Sequence, residues 1–241
     1  MKQASVALVL SIAAVATARA QSAGSWEVRT GWLHMSPQDS SQPLTVNALG
    51  QSSTIPSSGA SIEDADTFAL TARYYVTNHI AVETVLGAPP QLHFNGTGTL
   101  AAVGELGTTR AYSPAIQAEY HFGEPSARLR PYIGAGVSYV WFGNTKLSQP
   151  VATGQLLYSP TLGTLLEGPT SVSLSSSFAP LINAGLTYNI DRHWSVGASI
   201  SYMWLSTKAT LTTHAAVGTV TTTSKVKIDP IVSFLSIGYR F

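Results

Sequence analysis

Two His-x-Ser pairs come closest, of all the residues in this 241-residue chain, to a catalytic arrangement. His34 precedes Ser36, and His193 precedes Ser195 just after Asp191. Histidine can activate a serine hydroxyl when the two side chains touch and a third group orients the imidazole. Residues two apart on a strand share a face, which allows such contact. However, His34 has no carboxylate nearby in sequence and the second pair falls at a predicted turn, so we predict no catalytic residues.

Other sites of chemistry are also missing from the sequence. The chain has no cysteine, which excludes disulfides and thiolate metal sites. It contains no Gly-x-Ser-x-Gly, no His-Glu-x-x-His and no phosphate-binding loop. We therefore expect no cofactor and no bound metal, and we predict that the protein is not an enzyme.

The charge content favours an apolar solvent. Charged residues make up 10% of the chain, whereas a soluble domain has roughly 25%. The formal net charge is only +1, which does not suggest the strongly basic footprint of a nucleic-acid-binding protein, so nucleic acid is not an expected partner. Lipid around the protein would account for the scarcity of charge.

The first twenty residues have the layout of a secretory signal peptide. Lys2 supplies the positive start, an apolar run extends from Ala4 to Ala18, and Ala18-Arg19-Ala20 forms a small-x-small cleavage site. The run is too short for a membrane-spanning helix, which needs roughly 20 apolar residues. We predict cleavage after Ala20 and a single domain over residues 21–241.

Period-two alternation predicts eight strands. It is clearest at the C-terminus, where apolar residues occupy one parity from Ile231 to Phe241 and only Ser233 interrupts them. Similar runs cover residues 26–32, 68–76, 80–86, 112–122, 133–141, 178–188 and 194–204. Most of these runs approach the 9–11 residues that a tilted membrane strand requires.

The connections between these strands alternate in length. Short ones span 77–79, 123–129 and 190–193, and long ones rich in Gly, Ser, Thr and Pro span 35–65, 88–109, 143–176 and 206–224. Outer-membrane barrels have short periplasmic turns and long outer loops. We therefore predict an all-β, eight-stranded antiparallel transmembrane β-barrel in the cell outer membrane, with both termini periplasmic. A soluble sandwich or lipocalin-like barrel is the alternative, but it would carry more charge on its outer face.

The parity that faces away from lipid carries a polar set. We predict that it fills the lumen as a polar plug, made of Glu27, Arg29, Arg73, Glu83, Gln117, Glu119, His121, Asn183 and Arg240. Unpaired buried charges are costly, so these residues should pair with one another. Two interpretations remain: a plug that seals the barrel, or a polar path for solutes. The narrow bore of eight strands favours the plug.

The inward positions nearer the long loops are apolar. Leu33, Val85, Leu181, Met203 and Leu205 are the candidate ligand pathway. They form either a hydrophobic pocket open to the outside or ordinary lumen filling, and parity does not separate the two. Pro114 and Pro180 each lack an N–H near the loop end, so we also consider a gap in the wall through which apolar solutes leave sideways.

Two stretches resemble the outer membrane protein W (OmpW) family. One is Pro114–Gly136, with Tyr-x-Phe-Gly before a short turn and Arg-Pro-Tyr-Ile-Gly-Ala-Gly after it, and the other is Ile228–Phe241. The resemblance implies a narrow, mostly apolar lumen that admits small hydrophobic molecules, and loops that in some members bind phage or bacteriocins. The terminal Leu235, Ile237, Tyr239 and Phe241 resemble the insertion signal read by the barrel-assembly machinery. The 143–176 loop is long and distinctive, so the identity of a ligand does not carry over.

Two function classes follow from this sequence. The first is an outer-membrane barrel that transports small hydrophobic solutes. The second is a structural or surface-interaction barrel whose loops act as a receptor or adhesin without transport. Outer-membrane lipid and lipopolysaccharide are expected partners in both.

Overall fold

A computed structural model describes residues 22–157 and 166–241. The predicted signal peptide and its cleavage site lie outside these residues. Among the residues described, no helix is both long and apolar enough to cross a membrane.

The described chain is built almost wholly of β-strands. They are β1 (Trp26–Ser36), β2 (Ser40–Ser41), β3 (Thr45–Ala48), β4 (Gln51–Thr54), β5 (Ser58–Ile62), β6 (Ala65–Tyr75), β7 (Ile80–Gly87), β8 (Gln91–Gly98), β9 (Glu105–Tyr112), β10 (Ala115–His121), β11 (Leu129–Leu147), β12 (Thr170–Leu174), β13 (Ser177–Asn189), β14 (Trp194–Met203), β15 (Ser206–Ala215), β16 (Gly218–Lys227) and β17 (Ile231–Arg240). The described helical turns include α1 (Gln149–Ala152) and two short 3-10 segments, Ala101–Val103 and Gln155–Leu157.

Eight of these strands close into an antiparallel barrel, which confirms the predicted fold. Their order around the barrel is β1, β6, β7, β10, β11, β13, β14 and β17, and β17 pairs with β1 to close it. Trp32 marks the seam, because it lies opposite Leu235 on one side and Phe68 on the other. Closure pairs backbone groups that would otherwise meet hydrocarbon unsatisfied.

The facing of the strands follows the predicted parity. Ile200 and Ile133 are more than half exposed on the outer surface, whereas Ser195 and Ala179 are fully buried. Aromatic rings cluster at both ends of the barrel: Trp26 packs on Tyr74 at the short-turn end, with ring centroids 4.9 Å apart. At the loop end Tyr112 stacks on Trp141 at 5.2 Å. An aliphatic band between two aromatic girdles matches a bilayer with two water interfaces.

The long connections differ from the expectation of irregular loops. They form two sheets above the barrel: β5, β8 and β9 with the upper part of β11, and β12, β15, β16, β3 and β4 with β2 beside β16. Residues 206–226 are rich in threonine, with some serine and valine, and β-branched residues favour strands. The Ser- and Thr-rich composition that suggested loops thus belongs to strands with hydroxyl side chains on both faces: Thr213 and Thr222 are buried, whereas Thr219 is exposed.

The predicted fourth strand, residues 112–122, is interrupted. β9 ends at Tyr112 and β10 begins at Ala115, with Ser113 and Pro114 between them. Pro114 cannot donate to a ladder, but its carbonyl accepts bonds from the Tyr139 N–H at 3.1 Å and the Ser138 hydroxyl at 3.0 Å. The proline therefore marks the place where the barrel strand gives way to the sheet above it.

Candidate functional site

The lumen at the short-turn end is filled by an ionic network centred on Arg73. Its guanidinium lies 2.5 Å from Glu83 Oε2, 2.7 Å from Glu119 Oε2 and 3.2 Å from Glu27 Oε2. All four side chains are buried. The strand register brings these side chains together, since Arg73 lies opposite Glu27 on β1 and opposite Glu83 on β7.

Glu27 is a second centre of this network. Its Oε1 accepts a hydrogen bond from the Ser195 hydroxyl at 2.5 Å and lies 3.4 Å from Arg240 Nη2. Its Oε2 accepts a bond from the Tyr75 hydroxyl at 3.3 Å. One carboxylate thereby ties together strands β1, β6, β14 and β17, which stiffens the seam where the barrel closes.

Arg29 and His121 complete the layer. Arg29 donates to the Ser236 hydroxyl at 2.6 Å and lies 3.8 Å from Glu83. His121 Nε2 is 3.0 Å from Glu119 Oε2, and its ring stacks on Tyr132 with centroids 5.0 Å apart. Paired buried charges avoid the cost of isolated ones.

The structure brings together all but one of the predicted plug residues. Gln117 joins through its amide, which donates to Glu119 at 3.0 Å. Asn183 lies apart, where it donates to the Ser201 hydroxyl at 2.7 Å in the cavity wall above. Strand parity placed Asn183 on the lumen side, but it did not predict how far along the barrel axis the residue lies. Asn183 is near the middle of β13.

The buried ionic layer at the short-turn end, called the ionic floor below, includes residues that the sequence analysis did not predict. Arg130 is fully buried and donates to the carbonyl oxygens of Asn78, Phe122 and Gly123. It was overlooked because the predicted fifth strand began at Ile133. Extending that strand's inward parity to residues 130 and 132 would have found both Arg130 and Tyr132.

Above this floor lies an apolar cavity inside the barrel. It offers about 110 Å³ that the centre of a water-sized sphere can reach. All of the predicted pathway residues line it, namely Leu33, Val85, Leu181, Met203 and Leu205. Glu83 and Gln117 form its lower boundary, so the cavity ends on the ionic network.

A second apolar cavity lies higher, between the two outer sheets. It has about the same accessible volume, 110 Å³, and is lined by residues such as Leu106, Leu147, Val151, Leu174 and Leu211. Sequence reasoning did not find it, because its walls come from segments that were expected to be loops. The inward-facing alternate residues of β15 and β16 are the sequence signal from which this cavity could have been predicted.

An apolar partition separates the two cavities. Phe94 and Val226 line the upper cavity, Leu92 and Ile228 line the lower one, and all four pack in one hydrophobic cluster. Leu92 and Ile228 are 1% exposed. The path from the outer sheets to the barrel floor is therefore apolar and narrows at these side chains, and Glu83 is the first buried charge among the described residues that line it.

The His-x-Ser pairs do not form catalytic contacts. Ser195 points into the lumen toward Glu27, whereas the His193 ring stacks on Tyr239 with centroids 5.7 Å apart. His34 has a carboxylate partner that is distant in sequence, since its Nδ1 lies 2.9 Å from Asp66 across the β1–β6 pairing.

The hydroxyl of Ser36 donates to Asp64 at 3.0 Å. No hydrogen bond joins Ser36 to His34 in the part of the chain that the structure describes. Within residues 22–157 and 166–241, no cluster of His, Asp and Glu side chains is arranged to hold a metal ion.

The predicted insertion signal lies on the last strand. Leu235, Ile237 and Phe241 are exposed on the outer surface. Tyr239 shares this face and packs edge-on against Trp194, with ring centroids 5.0 Å apart. The four residues form one apolar stripe along β17.

Comparison with known proteins agrees with this architecture. The OmpW family model matches residues 22–241. Outer membrane protein W of Salmonella typhi is 32% identical over 183 residues, which are 76% of each chain. Outer membrane protein W of Vibrio cholerae is 30% identical over 235 residues, covering 97% of this chain and 96% of the relative.

A solved structure gives the same fold. The outer membrane protein OprG of Pseudomonas aeruginosa superimposes with a TM-score of 0.77 at 24% identity, over 92% of this chain and 99% of OprG. With the closed eight-stranded barrel and the match along the whole described length, the chain belongs to the OmpW family of outer-membrane proteins.

Proposed function

We propose that this barrel admits small hydrophobic molecules from the cell exterior into its lumen. One observation carries the proposal: two apolar cavities lie in series from the outer sheets to the middle of the barrel, and the described residues that form the partition between them have aliphatic and aromatic side chains. Apolar solutes gain free energy on leaving water for such surfaces, at about 25 cal/mol per Å² buried. Ions and sugars gain nothing comparable there.

The ionic floor closes the route toward the periplasm. Arg73 is tied to three carboxylates, and the lower cavity ends at Glu83 and Gln117. We infer that the floor is a seal and a brace rather than a path for polar solutes. Ion conductance should then be small beside that of an open porin.

A sideways exit follows from the break in the wall. Ladder pairing between β7 and β10 stops at Val85 opposite Ala115. Above that point Gly87, Pro90 and Ser113 line the lower cavity. Pro180 offers no similar gap, since it lies in register with Val137 and its carbonyl accepts the Trp204 N–H at 3.0 Å. We propose that solutes leave beside Pro114, into the outer leaflet.

The orientation proposed is the one that the sequence predicts. The short turns lie at the ionic-floor end together with Ser22 and Phe241, where the described chain begins and ends, and we assign this end to the periplasm. The two outer sheets then face the exterior.

The experiment is uptake of N-phenyl-1-naphthylamine into asymmetric vesicles with lipopolysaccharide outside and phospholipid inside. Plain phospholipid is already permeable to apolar solutes, so the lipopolysaccharide leaflet supplies the barrier. We expect faster uptake with the barrel than in protein-free vesicles and no increase for a hydrophilic dye of similar size. Equal uptake with and without protein would refute transport.

The second candidate is a surface receptor, and the β4 strand favours it. Gln51–Thr54 forms the edge of an outer sheet, and all four residues are exposed. A free strand edge presents backbone donors and acceptors to a partner strand. Absence of uptake, together with loss of phage or bacteriocin binding on deletion of β4, would support this function instead.

A further inference from the structure

Three lysines cluster on the outward face of the β15–β16 hairpin. Lys208 lies opposite Lys225, and Lys227 follows two residues later on the same face. All three are exposed. Among residues 22–157 and 166–241, none of the ion pairs involves them, so their charge is not neutralised within the part of the chain described.

The two faces of this hairpin differ in chemistry. Ala209, Leu211 and Val226 point inward and line the upper apolar cavity. Lys208 and Lys225 point the other way and line a polar groove with about 310 Å³ open to the centre of a water-sized sphere. Ser224 lines both, so the groove and the upper apolar cavity adjoin each other across the hairpin.

Hydroxyl groups surround the two lysines in the groove. They come from the Ser175–Ser177 segment, from Ser206 and Thr223 on the hairpin, and from Thr45 on β3. The segment is held in place, because the Ser175 hydroxyl accepts the Lys208 N–H at 2.9 Å and the Ser176 hydroxyl accepts a bond from Tyr139 at 3.1 Å. Cations beside fixed hydroxyls suit a ligand that carries both phosphate and sugar.

The groove lies at the level of the outer lipid headgroups. Trp204 and Phe178 belong to the aromatic girdle at the loop end, and both are strongly exposed. Lys208 is four residues beyond Trp204, a span of no more than about 14 Å. Aromatic girdles sit at headgroup depth, so the lysines lie just above it.

From this placement we propose that the groove binds the phosphorylated sugar headgroup of lipopolysaccharide in the outer leaflet. Lys208 and Lys225 contact a phosphate, Lys227 adds to the local positive potential, and the serine and threonine hydroxyls bond to the sugar. Headgroup binding would fix the hairpin that forms part of the wall of the upper cavity. This site is independent of the transport proposed above, since its residues point away from the apolar route.

The test compares lipid A with its enzymatically dephosphorylated form, bound to the purified barrel in neutral detergent and measured by native mass spectrometry. Each Lys→Gln change at 208, 225 or 227 should weaken lipid A binding about fivefold, which corresponds to about 1 kcal/mol per basic side chain at an anionic surface. The K208Q/K225Q/K227Q variant should bind both lipids equally weakly. Free inorganic phosphate should compete poorly, because it lacks the sugar and the acyl chains.

Two control variants make the result interpretable. K208R/K225R/K227R keeps the charge and should bind as the parent does. R128Q/R192Q removes two exposed arginines from the short-turn end and should also bind normally. Heat-modifiable mobility on gels confirms that each variant is folded. Parent-like binding by the triple Gln variant, an equal loss in R128Q/R192Q, or equal affinity of the parent for dephosphorylated lipid A would each overturn the proposal.

Discussion

At the scale of single residues, Arg73 is the central residue of the ionic floor. It contacts three buried carboxylates, and its guanidinium carbon also lies 4.7 Å from the centre of the Tyr132 ring. Removal of one partner from a buried ionic group leaves uncompensated charge and costs about 3–5 kcal/mol. We therefore expect Arg73→Met to lower the free energy of unfolding by about that amount.

Urea titration in lipid vesicles, followed by tryptophan fluorescence, measures this change. Arg128→Met is the matched control, because Arg128 is an exposed arginine at the same end of the barrel. An Arg73 variant as stable as the Arg128 variant would show that the network contributes little to stability.

Asp191 gives a pH-dependent prediction outside the membrane. Its Oδ1 accepts the N–H groups of Trp194 and His193, each at 2.7 Å, and these bonds lower the pKa of the Asp191 carboxyl below its ordinary 3.8. Because the folded-state pKa is depressed, the stabilisation is present above pH 3.8 and is lost as the pH falls through the lower folded-state value.

The readout is NMR of the His193 and Trp194 amides between pH 6 and about pH 2. Their signals should stay constant above pH 3.8 and shift as the pH falls further. In Asp191→Ala the acid shift should vanish. Persistence of the shift in that variant would assign it to another group.

At the scale of elements, the alternation of β14 fixes what each side chain meets. Ile200 is 53% exposed on the outer face, whereas Ser199 lines the lower cavity. Arginine at the mid-plane on the lipid face costs roughly 2–4 kcal/mol. Ile200→Arg should therefore hinder folding into vesicles far more than Ser199→Arg, as measured by gel mobility and unfolding. Equal losses of folding for the two variants would mean that the assignment of lipid-facing and lumen-facing residues in β14 is wrong.

The same scale shows what the sequence could and could not predict. Strand parity predicted that Glu27, Arg73 and Arg240 face inward, because a period of two needs only local sequence. It could not predict which charges meet, since Arg73 and Glu119 are 46 residues apart and touch because β6 and β10 both pair with β7. The outer sheets were also missed: their threonine-rich strands have the composition of loops, and only pairing across long separations makes them strands.

At the scale of the whole molecule, the barrel has two ends of different character. Charged, mutually paired side chains fill the short-turn end, and apolar cavities occupy the other. The orientation of these ends can be tested with cysteine variants at the exposed Ser52 and Glu124. A membrane-impermeant maleimide on intact cells should label Ser52→Cys and spare Glu124→Cys. Labelling of Glu124→Cys alone would invert the assignment.

The roles of floor and cavity can also be separated. Replacement of Arg73 by Met together with Glu83 by Gln removes one cation and one anion from the floor. If solutes leave sideways above it, this pair of changes should leave apolar uptake largely intact in folded protein. Abolished uptake with normal folding would place the route through the floor.

The most direct measurement is the rate of N-phenyl-1-naphthylamine uptake in lipopolysaccharide-faced vesicles that carry Leu181→Trp. Leu181 is 5% exposed and lines the lower cavity, so a tryptophan there should obstruct the apolar route. Leu186→Trp makes the same change on the lipid face of β13, where Leu186 is 39% exposed. We expect several-fold slower uptake for Leu181→Trp and parental uptake for Leu186→Trp. Parental uptake by a folded Leu181→Trp barrel would contradict this expectation.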